Sequence, residues 1–238
     1  MALMCGRYRL SRRKHLVEEY FGADSEGYDW NPRYNIAPTQ PVPVIRQHPR
    51  EPIRTLSLLR WGLIPSWAKD PSVGVGMINA RAETAAVKPA FREALESRRC
   101  LIPADGFYEW QRNGKTGQPY CFEVGDGELF AFAGLWDRWK NASGSVIETC
   151  SILTTTPNAV TSSVHDRMPV ILCSDNYHLW LDSAFRDTAS VSKMLRPFDA
   201  GLMRRYPVSA RVNNVQNDDA DCAKPLEREP LPAQSVLF

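Results

Sequence analysis

The sequence predicts one α+β domain with a mainly antiparallel, barrel-like sheet and several short helices. From residue 100 onward, short apolar segments alternate with tight turns, which is typical of strands joined as hairpins. The helical segments are few, and they do not alternate regularly with strands as they would in a parallel α/β fold. With 238 residues, of which 43% are hydrophobic, the chain is long enough to bury a substantial core.

Short helices are predicted at residues 11–21, 89–98, 175–181 and 190–195. Ser11 is placed to cap the first of them, and Gly22 is placed to end it. Asp175 is placed to cap the third. The apolar residues expected to face the core from the first helix are Leu16, Val17, Tyr20 and Phe21.

Strands or extended segments are predicted at residues 33–43, 55–64, 100–102, 106–111, 120–124, 129–136, 146–155, 169–173 and 203–212. Two dipeptides, Asn113-Gly114 and Asp126-Gly127, are strong signals for hairpin turns. We expect the second of them to join residues 120–124 and 129–136 as a hairpin.

No repeat or linker divides the chain, so we expect residues 4–216 to form one domain. Residues 1–3 are expected to be an N-terminal extension, with three alternatives open: a misassigned start, a remnant of cloning or a segment removed by processing. Residues 217–238 are mostly polar, and we expect them to form a loose C-terminal tail.

Composition excludes several classes of protein. No run of about 18 apolar residues is present, so we expect no membrane span. The six cysteines form no CxxC pair and lie mostly in apolar segments, which favours reduced thiols in the cytosol or nucleus. The four histidines lack the spacing of metal ligands. A net charge of +2 does not indicate nucleic-acid binding, although the basic excess in residues 1–60 is compatible with phosphate contact or with a solvated helix end.

Three segments place chemically active side chains among apolar residues. Asn79 and Arg81 would share one face of an extended segment, offering an amide and a phosphate-binding guanidinium. Glu109 lies between two aromatic residues, and His165 can transfer protons near neutral pH beside an adjacent Asp. Each has a structural alternative: a hydrogen-bonded Asn beside a surface Arg, an outward Glu, and a loop His. Trp67 can stack on an unpaired base or pack in the core.

Cys5 offers a further reactive group if it becomes the N-terminal residue. It would then carry a thiol next to a free α-amine, whose reference pKa is ~7.7–8.0. Such an amine can form a Schiff base with an aldehyde, and the thiol can close on the same carbon to give a thiazolidine ring. The alternative is that Cys5 is a small buried apolar residue.

Six motifs follow one another along the chain. They are Met4-Cys5-Gly6-Arg7-Tyr8, Arg33-Tyr34-Asn35-Ile36-Ala37-Pro38-Thr39, Trp61-Gly62-Leu63-Ile64-Pro65-Ser66-Trp67, Asn79-Ala80-Arg81-Ala82-Glu83, Pro103-Ala104-Asp105-Gly106-Phe107-Tyr108-Glu109-Trp110 and His165-Asp166-Arg167-Met168-Pro169. Together with the segment 132–136 between the last two, this order resembles the SRAP family (SOS response-associated peptidase domain), whose members shield abasic sites in single-stranded DNA. The resemblance spans about residues 4–212.

The resemblance implies a catalytic set made of Cys5, Asn79, Glu109 and His165. Cys5, as the processed N-terminus, would form the thiazolidine with the ring-opened sugar, and Asn79 would position both partners. Glu109 would move protons at the α-amine, and His165 would donate a proton as the closed sugar opens. The implied DNA contacts are Arg7, Arg81 and Arg167 on phosphates, Trp67 and Pro38 on flanking bases, and Thr154 in the DNA channel.

The leading hypothesis is therefore an enzyme that crosslinks itself to abasic sites in single-stranded DNA and exposes Cys5 by self-cleavage. It would act as a monomer, without metal or cofactor, in the cytoplasm and nucleoid of a bacterium or the nucleus of a eukaryote. Two other hypotheses remain. One is a thiol peptidase acting on other proteins through an internal Cys5 and His165 as base. The other is a non-catalytic reader of modified or single-stranded DNA.

Overall fold

Two sheets and several short helices make up the part of the chain that this computed structural model describes, which is residues 6–25, 27, 29–48, 51, 53–113 and 116–226. The strands are β1 Arg7–Leu10, β2 Ala23–Asp24, β3 Arg33–Ile36, β4 Pro41–Gln47, β5 Arg54–Trp61, β6 Asn79–Arg81, β7 Arg99–Ala104, β8 Gly106–Asn113, β9 Thr116–Val124, β10 Phe130–Lys140, β11 Val146–Thr155, β12 Met168–Pro169, β13 Ile171–Leu172 and β14 Met203–Pro207. The α-helices are α1 Lys14–Phe21, α2 Ala82–Ala85, α3 Arg92–Ser97, α4 Tyr177–Leu181 and α5 Thr188–Met194.

The first sheet has five strands in the order β14-β9-β8-β1-β3, and the second follows the path β12-β11-β10-β7-β4-β5-β2. In the second sheet β11 also pairs with β5, in parallel, through Thr149↔Arg60 and Cys150↔Trp61. This pairing closes β5, β4, β7, β10 and β11 into a ring. Most neighbouring strands are antiparallel. The prediction of one α+β domain with a mainly antiparallel, barrel-like sheet is confirmed.

Aromatic side chains join the two sheets. Tyr8 of β1 makes edge-to-face contacts with Trp61 of the ring at 5.4 Å and with Phe132 at 5.7 Å between ring centroids. All three side chains are fully buried. Such pairs contribute ~0.5–1.5 kcal/mol beyond the burial of their area. They hold β1, and with it the N-terminal end of the domain, against the ring.

Several local predictions are confirmed. Residues 146–155 form β11 with the predicted bounds. Gly22 ends α1 with a φ of 56°, a left-handed conformation that costs glycine little, and its N–H reaches the last carbonyls of the helix. The hairpin signalled by Asn113-Gly114 joins β8 to β9, which pair as far as Asn113↔Thr116. Its turn residues, 114 and 115, lie outside the described residues.

The hairpin predicted at Asp126-Gly127 is wrong. The turn is present, but β9 before it belongs to the first sheet and β10 after it belongs to the second. β9 is paired with β8 and β14, whereas β10 is paired with β7, β11 and β13. The turn therefore carries the chain from one sheet to the other.

The caps predicted for two helices are also wrong. α1 begins at Lys14, and the hydroxyl of Ser11 instead donates to the buried Asp105 at 2.7 Å. Asp175 lies in a 3-10 turn, and the residue at the N-cap of α4 makes no side-chain hydrogen bond. Leu16 and Tyr20 were expected to face the core but are exposed, because α1 contacts the sheets through a narrower face.

The chain after residue 216 is packed against the domain as far as it is described. The carboxylate of Asp218 accepts hydrogen bonds from the backbone N–H groups of Tyr34 at 2.6 Å and Asn35 at 2.7 Å. Cys222 is buried, and Pro225 forms an isolated β-bridge with Val208. The loose chain expected from residue 217 is therefore not found in residues 217–226.

No helix in the described part of the chain has both the length and the apolar character needed to cross a membrane. The five cysteines in that part are free, and four of them are buried.

Candidate functional site

Cys5 lies outside the described residues, so its neighbours in the chain and sheet locate the site. β1 begins at Arg7, which pairs with Tyr108 of β8 in an antiparallel register. The N-terminal end of β1 therefore lies beside the part of β8 that carries Glu109.

Glu109 is a buried carboxylate with 3% of its surface exposed. Its neighbours Tyr108 and Trp110 belong to a small cluster outside the main core. Because side chains alternate along a strand, Glu109 points to the opposite face, as does Phe107, which belongs to the main core. The outward Glu is thus excluded. The carboxylate therefore lies on the face of β8 that is turned toward the main core, not on the face of its aromatic neighbours Tyr108 and Trp110.

β6 carries Asn79 and Arg81 alongside β11, which it joins in parallel through Asn79↔Ile152. The carbonyl of Ile78 fixes the start of this strand, since it accepts from Ile152 N–H at 3.0 Å and from Trp61 Nε1–H at 2.9 Å. Asn79 and Arg81 are two residues apart on a strand and share a face, as the sequence predicted. Asn79 is half-buried, and Arg81 is exposed.

Two groups lie within hydrogen-bond distance of the same ring nitrogen of His165. Its Nδ1 lies 3.1 Å from the backbone nitrogen of Arg167 and 3.0 Å from Oδ1 of Asp166. In the neutral ring, Nδ1 accepts from Arg167 N–H, so the proton sits on Nε2. In the protonated ring, Nδ1–H can donate to Asp166 instead. Both protonation states therefore have a partner that orients the imidazole.

The loop of His165 is fastened to the strand of Glu109. Nε2 of Gln111 donates to the carbonyl of Ser163 at 2.9 Å. Gln111 is two residues beyond Glu109 on β8, so both side chains lie on the same face of the strand. Ser163 is two residues before His165. The bond thus attaches the loop that carries His165 to the strand that carries Glu109.

Arg7 is already engaged by protein groups. Its Nη1 donates to the carbonyl of Val212 at 2.7 Å and to Oδ1 of Asn35 at 3.2 Å, and its guanidinium lies 5.9 Å from the ring centroid of Trp110. Desolvation lowers the pKa of the guanidinium from its ordinary value. These contacts fix the direction of Arg7, whereas Arg81 extends into solvent.

Arg167 is held by Glu83 and Thr154. Its Nη1 and Nη2 donate to the two oxygens of the Glu83 carboxylate at 2.6 and 2.9 Å, and Nη2 also donates to the carbonyl of Thr154 at 2.6 Å. Thr154 is fully buried. The sequence placed Glu83 in a motif with Arg81 but gave it no role. The signal available in the sequence was a carboxylate, Glu83, two residues after the proposed phosphate contact Arg81. Its partner Arg167 is 84 positions away along the chain, so the sequence could not show the pairing.

Pro38 and Trp67 lie on two loops that are fastened together at Trp61. Thr39 N–H donates to the carbonyl of Trp61 at 2.8 Å, and Trp61 N–H donates to that of Gln40 at 3.0 Å. Trp61 is fully buried, but 61% of Trp67 is exposed. The Trp67 loop is nevertheless braced, since Ser66 N–H donates to Asp137 at 3.0 Å and Trp139 Nε1–H donates to the carbonyl of Ala68 at 2.7 Å.

The candidate site contains side-chain types that can transfer protons and side-chain types that can bind anions. The buried carboxylate of Glu109 and the oriented imidazole of His165 belong to a strand and a loop that are hydrogen-bonded to each other, and the amide of Asn79 lies on β6 beside β11. The exposed guanidinium of Arg81 lies on β6, which pairs with β11 of the ring, and the exposed indole of Trp67 lies on the loop after β5. Among the described residues, no group of three or more His, Cys, Asp or Glu side chains could hold a metal ion.

Residues 4–215 match the model of a protein family described as SOS response associated peptidase (SRAP). The chain belongs to the SRAP family. The likeness to SRAP proteins drawn from the ordered motifs is therefore confirmed over nearly the same residues.

Other SRAP-like proteins resemble the chain over most of its length. It is 44% identical over 222 residues to the abasic site processing protein YoqW of Bacillus subtilis (strain 168), covering 92% of this chain and 98% of that protein. It is 35% identical over 228 residues to the abasic site processing protein HMCES of Gallus gallus, covering 83% of this chain and 67% of that protein. A crystal structure of a Bacteroides thetaiotaomicron protein matches with a TM-score of 0.86 at 28% identity, covering 94% of this chain and all of that one.

Proposed function

We propose that this protein processes abasic sites in DNA, and that it does so by forming a covalent thiazolidine with an abasic site in single-stranded DNA through Cys5. The names of its relatives support the first part. The observation that carries the second part is the buried Glu109 beside the N-terminal end of β1, with the His165 loop bonded to the same strand. Cys5 is two residues upstream of Arg7, and consecutive Cα atoms are ~3.8 Å apart, so the covalent chain keeps it within reach of this region.

The chemistry requires a free α-amine on Cys5. Hydrolysis of the Met4–Cys5 peptide bond, which consumes one water, would release it. The amine then adds to the aldehyde carbon of the ring-opened sugar, and loss of water gives a Schiff base. The Cys5 sulfur adds to the same carbon while the thiol proton passes to the nitrogen, which completes the thiazolidine. Because ring closure removes the iminium, the strand is protected from β-elimination.

Glu109 and Asn79 are proposed to serve the amine and the sugar. A carboxylate that is 3% exposed is shielded from water, so it can take a proton from the amine and return it during reversal. Asn79 offers both a donor and an acceptor from a strand whose start is fixed at Ile78. The two residues come from different sheets, so the proposed reaction lies between them.

His165 is proposed to donate the proton that opens the closed sugar. In the protonated ring, Asp166 can hold the Nδ1 proton, with 3.0 Å between the atoms. The Nε2 proton is then the one available to the sugar. After the transfer, the neutral ring can return to the state in which Arg167 N–H donates to Nδ1.

The DNA contacts proposed here divide into two groups. Arg81 and Trp67 are exposed and can meet phosphate and base directly. Arg7 and Pro38 are partly buried, and Arg7 keeps protein partners that set its direction. Thr154 is fully buried with its carbonyl on Arg167, so its proposed contribution to the channel passes through that guanidinium.

Incubation with abasic single-stranded DNA followed by a denaturing gel tests the proposal. Protein shown by intact mass to begin at Cys5 should give one slow-migrating adduct, and Cys5→Ala should give none that survives denaturation. Cys173→Ser is the matched control, because Cys173 is an exposed free thiol and its loss should leave the adduct intact. Absence of an adduct from verified protein would refute the covalent function. Equal DNA binding by the wild-type protein and Cys5→Ala, with no adduct from either, would support the non-catalytic reader instead.

The description of the family as a peptidase favours a second activity, self-cleavage before Cys5 by the same Glu109 and His165. Glu109→Gln should then retain residues 1–4 in intact-mass spectra, while the wild-type protein loses them. Cleavage of unrelated peptide libraries by wild-type protein, lost in Cys5→Ala, would instead establish a thiol peptidase that acts on other proteins.

A further inference from the structure

Protein groups occupy most of the hydrogen-bond donors of the Arg167 guanidinium. An arginine side chain has five N–H donors. Glu83 takes one from Nη1 and one from Nη2, and the carbonyl of Thr154 takes the other Nη2 donor. Nε is buried and has no hydrogen-bond partner among the described residues. The edge that best matches a phosphate, the fork of Nη1 and Nη2, is therefore filled by a carboxylate.

The pairing also cancels charge where DNA is proposed to bind. Hydrogen bonding to Arg167 lowers the pKa of Glu83, so the carboxylate is ionised near neutral pH. The side chain of Glu83 is 47% exposed and that of Arg167 is 12% exposed, so the carboxylate reaches solvent while most of the arginine side chain is covered. Two positions before Glu83, Arg81 is exposed and keeps its charge available. Arg81 and Arg167 are thus both proposed to bind phosphates, but Arg167 is paired with the carboxylate of Glu83.

We propose that Glu83 is a positioning residue that occupies the phosphate-binding edge of Arg167 and so weakens the hold of the protein on undamaged single-stranded DNA. The inference rests on the proposed function and deepens it. A phosphate must displace Glu83 or accept the remaining donors, so only a strand held by further contacts gains the full use of Arg167. Protein bound to intact DNA is released more readily, which leaves it free to reach an abasic site.

Binding of a fluorescein-labelled intact single strand, measured by anisotropy over a series of salt concentrations, tests this inference. Glu83→Gln should bind the strand about two- to fivefold more tightly at low salt, in keeping with loss of a surface ion pair. The plot of log affinity against log salt should also steepen by up to about 0.7, since one more charge becomes available to a phosphate. Arg81→Gln should do the reverse, binding more weakly with a shallower slope.

Two controls separate this role from a general charge effect. Glu93→Gln removes a carboxylate from another surface pair, with Arg98 at 3.4 Å, and changes the net charge equally. It should leave affinity and slope almost unchanged. Glu83→Gln should also have no further effect in an Arg167→Gln background, because the two residues act as one unit. Thermal unfolding of each variant checks that the fold is kept.

The outcomes are distinguishable. Unchanged or weaker binding by Glu83→Gln, or an equal gain in Glu93→Gln or in the Arg167→Gln background, would overturn the inference while leaving the crosslinking function untouched. Failure of the wild-type protein to bind either intact or abasic strands would overturn both. Tighter binding with a steeper slope, confined to variants that keep Arg167, would support it even if no crosslink forms.

Discussion

Arginine and carboxylate side chains form two clusters in this protein, and the clusters differ in how many donors remain open. Around Arg9, the protein uses the guanidinium almost completely: Nε donates to Asp105 at 2.9 Å, Nη2 donates to Glu123, and Nη1 donates to Tyr206 at 3.3 Å. Glu123 accepts further bonds from Arg204 at 2.7 Å and Tyr206 at 2.6 Å. Arg9 is 8% exposed, so the cluster is buried as well as satisfied.

Around Arg167, the arginine is covered to a similar extent, but its carboxylate partner and the neighbouring Arg81 reach solvent. Glu83 is half exposed, Arg81 is exposed, and Nε of Arg167 has no partner among the described residues. The Arg9 cluster joins β1, β9 and β14 of one sheet. The comparison teaches that an arginine motif indicates binding only where donors stay open, since buried and satisfied guanidinium groups stabilise the fold.

The largest effect should come from breaking the buried cluster. Arg9→Met keeps the bulk of the side chain but leaves the carboxylates of Asp105 and Glu123 buried without their shared cation. Removing one partner of a buried ion pair typically costs about 3–5 kcal/mol. We therefore expect the free energy of unfolding in urea to fall by about that amount.

Arg81→Gln is the matched variant at the surface cluster. Its free energy of unfolding should stay within about 0.5 kcal/mol of wild type, because the side chain is exposed. Its affinity for single-stranded DNA should fall. If Arg9→Met proved as stable as wild type, or Arg81→Gln lost several kcal/mol of stability, the distinction between the two clusters would be wrong.

The sequence could predict elements whose signals are local. Residues 146–155 form one long apolar strand, and Gly22 supplies the left-handed residue that ends α1. Sheet membership could not be predicted in the same way. The turn at Asp126-Gly127 is a strong local signal, but whether the strands beside it pair depends on β14 and β7, which lie far away along the chain.

Distant partners explain the other local failures. Ser11 has the residue type of a helix cap, but its hydroxyl bonds to Asp105, 94 positions away. The polar segment after residue 216 reads as loose chain, yet Asp218 accepts backbone hydrogen bonds from Tyr34 and Asn35. In each case a polar side chain is bound by a group that sequence patterns cannot locate.

The contacts around the candidate site could not be predicted from the sequence. Asn79, Glu109 and His165 were selected from their motifs, and their assignment as a catalytic set stays a prediction. Two side-chain contacts join these segments, namely Gln111 with Ser163 and Glu83 with Arg167, and the motifs contain Glu83 and Arg167 without showing that they pair. Those pairs are separated by 52 and 84 positions, so only the fold reveals them.

The two tryptophans of one motif, Trp61 and Trp67, should show the next largest effects on stability and DNA binding. Trp67→Ala should change stability by less than about 0.5 kcal/mol, because the side chain is 61% exposed. Loss of base stacking should weaken binding to single-stranded DNA by about 1–3 kcal/mol. Anisotropy with a labelled strand measures the binding, and urea unfolding measures the stability.

Trp61→Phe should give the opposite result. Trp61 is fully buried and donates from Nε1 to the carbonyl of Ile78 at 2.9 Å, which also accepts from Ile152 N–H, so its replacement removes one of two hydrogen bonds to that carbonyl at a cost of about 0.5–1.5 kcal/mol in unfolding. Its effect on DNA binding should be small while the protein stays folded. Equal loss of binding in both variants would show that Trp67 acts through the loop rather than by stacking.

The smallest effect is the pH dependence of the buried cluster. Burial alone would raise the pKa of Glu123, but the hydrogen bond from Tyr206 and the charges of Arg9 and Arg204 outweigh it, so the pKa is lowered. A lowered folded-state pKa means that Glu123 contributes stability above its unfolded pKa of about 4.3, and that this stability is lost as the pH falls through the folded value. Urea unfolding at a series of acidic pH values should therefore show a steeper loss of stability in wild type than in Glu123→Gln. Glu19→Gln, which removes an exposed carboxylate, should keep the wild-type slope. If Glu123→Gln also kept that slope, the guanidinium groups around Glu123 would not favour its ionised form, and the buried cluster would differ from the surface one in burial alone.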